Sequence, residues 1–264
     1  MPYARNRLDG VHTYFEDWEG EGPPVLVYTG LGDPLEDAQE NPLVLALASD
    51  HHLYFADHRG QGRSDKPHDV AAYALPKRVA DAVAVLDHFG LERVHVLGFS
   101  WGARLGFAIG EHAPERVLSL ALCGNQPFAW DPSWPFVPLL SEALDASESH
   151  GMQAFIDTLE TAFGDELSAT VRERVLANDA KALDAAWRSA LAEGPISTDL
   201  SAWRVPCLIC MASGEDMYDN AQRAADEIPM ARFLALEGHT HLSAPYEVEQ
   251  VLPAVRALFA EATN

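Results

Sequence analysis

The sequence predicts an α/β domain built on a mostly parallel, doubly wound β-sheet. Short apolar runs of strand length alternate with segments in which apolar residues recur at helical spacing, and no internal repeat accounts for the alternation. Polar or glycine-rich loops follow several of these runs, as they do where parallel strands end at a ligand-binding edge. A chain of 264 residues is long enough for one such domain with a substantial core.

The first third of the chain supplies one edge and the first central strands of this sheet. Asp9-Gly10, which lies between two strand-like segments, predicts an antiparallel hairpin with a two-residue turn. Residues 25–29 are typical of a deeply buried strand, and the glycine-rich loop 30–34 follows it. The next predicted elements are a helix over 42–49, a strand over 53–56, a polar loop over 57–65 and a helix from Pro76 to Gly90.

The strongest functional signal lies where a strand pattern changes to a helix pattern. Residues 94–99 suit a strand buried on both faces, and apolar residues recur at helical spacing from Ala103 onward. Gly98-Phe99-Ser100-Trp101-Gly102 stands at this change and matches G-x-S-x-G, the elbow that exposes a nucleophilic serine between a strand and a helix. The alternative is a serine in an ordinary strand–helix turn. The partners of Ser100 decide between the two interpretations.

A long helical segment interrupts the second half of the predicted sheet. Residues 125–200 show helical patterns without an intervening strand, as expected of an insertion over one end of the sheet. We therefore predict a core of residues 1–124 and 201–264 and a helical lid of residues 125–200, the alternative being that this segment is an ordinary part of the core. The predicted elements here are strands over 117–123, 206–212 and 232–236, lid helices within 137–163, 166–178 and 181–192, and helices over 221–228 and 245–260.

Ser100 has candidate partners further along the chain. Acyl transfer by a serine requires a base that takes its proton, an acid that orients the base, and donors for the oxyanion. Asp216 and His241 both follow predicted strands, and they complete the order Ser, Asp, His that one fold is known to use. Asp216 is the preferred acid because it comes directly out of a strand, with Asp219 as the alternative. His239 is the alternative to His241 as the base.

These motifs together resemble the α/β-hydrolase superfamily, in its serine-nucleophile branch, along nearly the whole chain. The resemblance implies the α/β-hydrolase fold, and the spacing Gly238-x-x-His241 favours His241 as the base. It also implies that the backbone N–H groups of Leu31 and Trp101 form the oxyanion hole, and that the polar loop after the second buried strand supports the active edge. The segments that carry it are Thr29-Gly30-Leu31-Gly32, Asp57-His58-Arg59-Gly60-Gln61-Gly62-Arg63-Ser64, Gly98 to Gly102 and Leu236-Glu237-Gly238-His239-Thr240-His241.

The sequence departs from this family at two points. Members commonly carry a glycine three residues before the acid, whereas Gly214 lies two residues before Asp216. Many members carry His-Gly where this chain has Thr29-Gly30, so the support of the oxyanion loop must differ. Asn125 stands where some members keep their acid, but an amide stabilises an imidazolium less well than a carboxylate does.

The resemblance implies a cofactor-independent serine hydrolase without a metal site. The aromatic residues at the start of the lid, together with Trp101, predict a small, largely apolar ester, lactone or activated acyl substrate that reacts through an acyl-enzyme. We expect Trp101, Phe128, Trp130 and Trp134 to line its pocket. A serine nucleophile argues against the epoxide hydrolase and haloalkane dehalogenase branches, which use an aspartate. Carbon–carbon bond hydrolases, perhydrolases and lyases that use the same triad remain alternatives, as does a non-catalytic ligand-binding member of the fold.

Composition limits the partners of the protein. A formal net charge of −22 argues against nucleic acids and anionic membranes as partners, which leaves a small-molecule substrate. With no apolar run of membrane-spanning length and no secretory signal, we expect a cytoplasmic protein, and a homo-oligomer is left open. Cys207 and Cys210 form C-x-x-C inside an apolar strand pattern without further ligands, so we interpret them as buried structural residues.

Overall fold

Eight strands form one sheet in the computed structural model, which describes residues 2–263. Their spatial order is β1-β2-β4-β3-β5-β6-β7-β8, in which β2 pairs antiparallel with β1 and β4 and every other neighbouring pair is parallel. The strands are Tyr3–Arg5 (β1), His12–Trp18 (β2), Pro24–Tyr28 (β3), His52–Ala56 (β4), Val94–Phe99 (β5), Val117–Cys123 (β6), Cys207–Ala212 (β7) and Ala231–Leu236 (β8). The mostly parallel sheet with an antiparallel edge confirms the predicted fold class.

Helices cover both faces of the sheet, as doubly wound topology requires. One buried apolar cluster includes Val85 and Phe107, and a second, on the other face, includes Val44 and Leu258. The helices are Leu35–Gln39 (α1), Pro42–Leu47 (α2), Leu75–Phe89 (α3), Trp101–His112 (α4), Phe136–His150 (α5), Gln153–Phe163 (α6), Ala169–Leu176 (α7), Ala180–Ala192 (α8), Tyr218–Glu227 (α9) and Val248–Thr263 (α10). None of these helices is long and apolar enough to cross a membrane.

The edge hairpin forms, but its turn is wider than Asp9-Gly10 predicts. The pairing of β1 with β2 ends at Arg5 opposite His12, so residues 6–11 make the connection. Asn6 is fully buried and donates through Nδ2 to Asp81 (2.6 Å) and to the carbonyl of Lys77 (2.9 Å). This inward anchor on α3 ends the strand before a two-residue turn can form.

Segment 125–200 contains four helices and no strand, as its sequence pattern predicts. These helices, α5 to α8, connect β6 to β7, and α5 packs against α6 and α8. Cys207 and Cys210 lie buried on β7 as free thiols, and burial raises the pKa of both. The division of the chain into a core and a lid stays a prediction.

The polar loop after β4 braces the loop that follows β3. Arg59 is buried and bonds Asp81 through Nε (2.6 Å) and Asp9 through Nη1 (2.8 Å), which pins this loop to α3 and to the edge hairpin. Asp57 Oδ1 accepts from the N–H of Leu35 at 2.9 Å, and His58 Nε2 lies 3.1 Å from the carbonyl of Thr29. Buried polar contacts from Asp57 and His58 therefore hold the loop over residues 29–35 in place.

Candidate active site

Ser100 occupies a strained turn between β5 and α4. Its φ of 49° and ψ of −110° make it the one residue other than glycine with positive φ among residues 2–263. A Cβ on Gly98 would lie 2.5 Å from the carbonyl oxygen of Gly102, and one on Gly102 would lie 2.5 Å from that of Tyr28. Strand and helix approach closely only because both positions lack side chains, and this turn presents the hydroxyl to His241.

A continuous hydrogen-bonded chain joins Ser100 to a histidine and a carboxylate. His241 Nε2 lies 2.9 Å from Ser100 Oγ, and His241 Nδ1 lies 2.8 Å from Glu215 Oε1. The side chains of His241 and Glu215 are only 11% and 6% exposed. This is the relation of nucleophile, base and orienting acid that acyl transfer by a serine requires.

The carboxylate that bonds His241 is Glu215, so the predicted contact between Asp216 and His241 is wrong. Asp216 is exposed, and its alternative Asp219 is exposed in the first turn of α9. The chain turns immediately after β7, because the N–H of Glu215 donates to the carbonyl of Ala212. That turn brings residue 215 to His241, whereas residue 216 is exposed and lines a neighbouring cavity without bonding His241. The sequence offers one signal for this contact: Glu215 directly precedes Asp216, and a glutamate side chain is one methylene longer than an aspartate side chain.

His241 and not His239 faces the nucleophile, in agreement with the spacing from Gly238. His239 Nε2 lies 3.1 Å from Glu247 Oε2 and so belongs to a separate contact. Asn125 does not act as an acid toward His241; its Nδ2 donates instead to the carbonyl of Ser100 at 3.1 Å. Asn125 therefore steadies the elbow.

The surroundings of His241 favour its protonated form. Burial disfavours the charge, but the charge of Glu215, its hydrogen bond and the charge of Asp33 together raise the pKa of His241 above its ordinary value. The ring of Phe163 stacks on the imidazole with centroids 4.5 Å apart. Phe163 comes from α6, so segment 125–200 contacts the base directly.

The two residues expected to supply the oxyanion donors, Leu31 and Trp101, line the same cavity as Ser100. Leu31 lies in the loop after β3, Trp101 is the first residue of α4, and neither backbone N–H donates to a group within residues 2–263. The Leu31 loop is held by Gly32, whose N–H donates to Gln61 and whose carbonyl accepts from Asn178 Nδ2 at 2.6 Å. Asn178 and Gln61 thus hold this loop in a chain that has Thr29 and no histidine at that position.

Two cavities meet at Ser100 and His241. Their volumes are about 500 Å³ and about 290 Å³, and segment 125–200 supplies much of the lining of both. Of the predicted pocket residues, Trp101 lines the larger cavity, Trp130 lines both and Trp134 lines only the smaller. Aromatic lining residues that the sequence pattern did not single out include Phe155, Phe163, Trp187 and Tyr246.

Phe128 lines neither of these two cavities, so its assignment to the substrate pocket is wrong. Its ring packs under the guanidinium of Arg223, whose Cζ lies 4.3 Å from the ring centroid. Arg223 lies on α9, beside the core, and this contact holds Phe128 outside the pocket. Proximity in sequence to Trp130 was therefore no guide to the direction of the Phe128 side chain.

Several named proteins are similar to this chain in amino-acid sequence. It is 34% identical to a putative carbamate hydrolase of Azorhizobium caulinodans over 46% of this chain and 43% of that protein. A putative carbamate hydrolase of Caulobacter sp. is 28% identical over 72% of this chain and 74% of that protein. A cis-3-alkyl-4-alkyloxetan-2-one decarboxylase of Shewanella oneidensis is 33% identical over 48% and 41%. The chain thus spans less than half the length of the first and third of these relatives.

Solved structures share the fold over almost the whole chain. An enol-lactonase from Burkholderia xenovorans superposes with a TM-score of 0.83 at 20% identity, covering 98% of this chain and 100% of that one. A thermophilic esterase from Thermogutta terrifontis gives 0.82 at 21% identity, covering 99% and 98%. The family model described as alpha/beta hydrolase fold matches residues 14–167, more than half of the sequence. The chain therefore belongs to the α/β-hydrolase fold family.

Proposed function

We propose that this protein is a serine hydrolase that cleaves a small, largely apolar ester, lactone or activated acyl compound through an acyl-enzyme. The observation that carries the proposal is the chain Ser100 Oγ–His241–Glu215, with 2.9 Å and 2.8 Å between successive heteroatoms. The larger cavity, about 500 Å³ in volume and rich in aromatic side chains, suits a substrate of that size and polarity.

The geometry supports the following sequence of steps. His241 Nε2 takes the proton of Ser100 as Oγ attacks the substrate carbonyl carbon, and the N–H groups of Leu31 and Trp101 stabilise the resulting oxyanion. The imidazolium then protonates the leaving group, and the carbon–leaving-group bond breaks to yield the acyl-enzyme. Water, deprotonated by His241, attacks the acyl carbon, and the proton returns to Ser100 as the acid departs.

Glu215 and segment 125–200 have supporting roles in this mechanism. The Glu215 carboxylate accepts from Nδ1–H, so it selects the tautomer in which Nε2 is free to accept a proton. Segment 125–200 acts as a lid that covers the nucleophile and restricts access of water. The names of the curated relatives, which refer to a carbamate and to an oxetan-2-one, support a carbonyl as the reacting group.

A fluorophosphonate probe and a panel of p-nitrophenyl esters of increasing acyl length test this proposal. We expect covalent labelling of Ser100, located by mass spectrometry of the digested protein, together with turnover that declines once the acyl chain outgrows the cavity. A heat-denatured sample serves as the control. Loss of labelling in that sample shows that the folded site activates the serine. An unlabelled Ser100 and no turnover of any ester would refute the serine-hydrolase mechanism.

The rate should depend on pH through His241. The base must be neutral to accept the Ser100 proton, and its raised pKa keeps it protonated to a higher pH than an ordinary histidine. We therefore expect kcat/KM to fall on the acid side with a midpoint above the ordinary value of 6.5. Removal of the Glu215 charge in Glu215→Gln should move this midpoint to lower pH. A rate that stays flat down to about pH 4 would contradict the role of His241.

A further inference from the structure

The larger cavity has an acidic wall in addition to its aromatic lining. Three of its carboxylates, Asp33, Asp37 and Glu40, come from the loop after β3, from α1 and from the end of α1, and two, Asp165 and Glu166, come from the loop between α6 and α7. Among the described residues that line this cavity there is no lysine and no arginine. We use the term acidic wall for these five residues.

Asp33 is the carboxylate that lies beside the nucleophile. A Cβ built on Gly30 would lie 2.5 Å from Asp33 Oδ2 and 3.6 Å from Ser100 Cβ, so both side chains border the same point. The Asp33 carboxylate accepts a hydrogen bond from the backbone N–H of Gly30, and within residues 2–263 it has no ion pair. Burial and the charge of Asp37 raise the pKa of Asp33 to about 7.

Asp37 has one engaged and one free oxygen. Its Oδ1 bonds Arg174 Nη1 at 2.6 Å, and the same arginine also pairs with Glu40. The Asp37 side chain is 8% exposed, and its Oδ2 is buried without a hydrogen-bond partner in the described chain. One guanidinium therefore serves two carboxylates, and the Asp37 oxygen beside the cavity remains unsatisfied.

An aromatic ring completes this part of the cavity. Tyr246 lines it, and burial together with the charges of Asp33, Asp37 and Glu40 raises the pKa of the phenol. The three carboxylates and the ring are thus close enough to act on one another. Carboxylates beside aromatic faces form a site for a cation, because the ring quadrupole and the anionic oxygens attract positive charge together.

The acidic wall concentrates negative charge on one side of the cavity. Asp37 Oδ2 is buried without a hydrogen-bond partner, so it has lost hydration without compensation, and a positive group inside the cavity would supply a partner. An anionic group in the same place would be repelled. Because these residues border Ser100, a molecule held there would present its acyl group to the nucleophile.

We propose that the substrate carries a positively charged amine or quaternary ammonium group, bound by Asp33 with Asp37 and Tyr246 beside it. This inference rests on the proposed function and narrows its substrate class. The aromatic lining accommodates the apolar body of the substrate, and the acidic wall accommodates its charged end.

Three p-nitrophenyl esters that differ in charge test the inference. They are the 4-(trimethylammonio)butanoate, its uncharged carbon isostere the 5,5-dimethylhexanoate, and the anionic 4-carboxybutanoate. We expect kcat/KM for the cationic ester to exceed that for the isostere by about tenfold or more. The anionic ester should be the slowest of the three. Because the first two esters have the same shape, their ratio isolates the effect of charge.

Substitution of Asp33 and of a matched carboxylate locates the effect. Asp33→Asn keeps the shape of the side chain, and we expect it to lower the cationic-to-neutral ratio about fivefold or more. Glu173→Gln removes the same charge from an exposed position on α7 outside the cavity lining, and it should leave this ratio unchanged. A ratio that falls equally in both variants would indicate a long-range field and overturn the assignment to Asp33.

The ratio should also depend on pH. Asp33 faces Asp37 on α1 together with His241 and Tyr246 from the loops after β8, and its pKa of about 7 leaves it partly protonated near neutrality. Ionisation strengthens cation binding, so the cationic-to-neutral ratio should rise between about pH 6 and pH 8. The titration of His241 affects both esters and cancels in the ratio. A ratio independent of pH in the wild type would count against Asp33 as the anchor.

Failure of this inference and failure of the proposed function give different results. If the neutral ester is hydrolysed but the cationic ester is no faster, the inference is wrong and the hydrolase proposal stands. If no ester is hydrolysed, binding of hexyltrimethylammonium and of 1-hexanol is compared by tryptophan fluorescence, since Trp130 and Trp187 line the cavity. Tighter binding of the cation that is lost in Asp33→Asn supports the inference. Equal binding of the two molecules overturns it.

Discussion

Replacement of Ser100 by alanine should abolish covalent labelling and lower ester turnover by several powers of ten, on the order of 10⁴ or more. The hydroxyl is the only group of this residue that bonds His241, and alanine removes it without adding volume. The elbow itself should persist, because its backbone bonds to Cys123 and Arg104 do not involve the side chain. Initial rates and the urea midpoint of the purified variant measure the two effects separately.

Ser168→Ala is the matched control for this variant. Ser168 lines the same cavity with a hydroxyl, but its Oγ accepts from the N–H of Val171 as the cap of α7. We expect turnover within about threefold of the wild type and a loss of about 1 kcal/mol in the free energy of unfolding. Wild-type turnover in Ser100→Ala would show that this serine is not the nucleophile.

Glu215→Gln should lower turnover by at least about a hundredfold while the fold remains intact. The amide preserves the shape of the side chain, but it removes the negative charge that stabilises the imidazolium at 2.8 Å. It can also present its NH₂ group to Nδ1 and so favour the wrong tautomer of His241. The effect should fall mainly on kcat, because Glu215 does not line the larger cavity.

Asp216→Asn tests the neighbouring carboxylate under identical conditions. Asp216 is exposed and has no contact with His241, so we expect turnover within about threefold of the wild type. A hundredfold loss in Asp216→Asn with little change in Glu215→Gln would reverse the assignment of the acid. Comparable losses in both would mean that the two carboxylates act together.

The order of strands and helices could be predicted from the sequence because the pattern that identifies each element lies within a short stretch. The apolar run at 94–99 and the helical spacing after Ala103 identify β5 and α4, although α4 begins two residues earlier, at Trp101. The glycines at 98 and 102 locate the elbow, since close approach of two backbones requires them. The spacing from Gly238 likewise led to His241, which the structure places against Ser100.

The pocket lining could not be read in the same way. Phe155, Phe163 and Trp187 follow the helical spacing of ordinary packing residues, and no pattern separates a ring that faces a cavity from one that faces a core. Phe128 lies in an irregular stretch among prolines, where no periodicity defines the direction of a side chain. Its position against Arg223 depends on the docking of α9.

The sequence by itself determined the α/β fold, the elbow serine and the histidine, because strand and helix periodicity and glycine spacing are properties of short stretches. Only the tertiary structure decided that Glu215 and not Asp216 meets His241, since this depends on how sharply the chain turns after β7. It also decided that two groups of carboxylates more than a hundred positions apart form one acidic wall, namely Asp33, Asp37 and Glu40 with Asp165 and Glu166. Such groupings arise from the packing of distant elements, and packing leaves no periodic signal in the sequence.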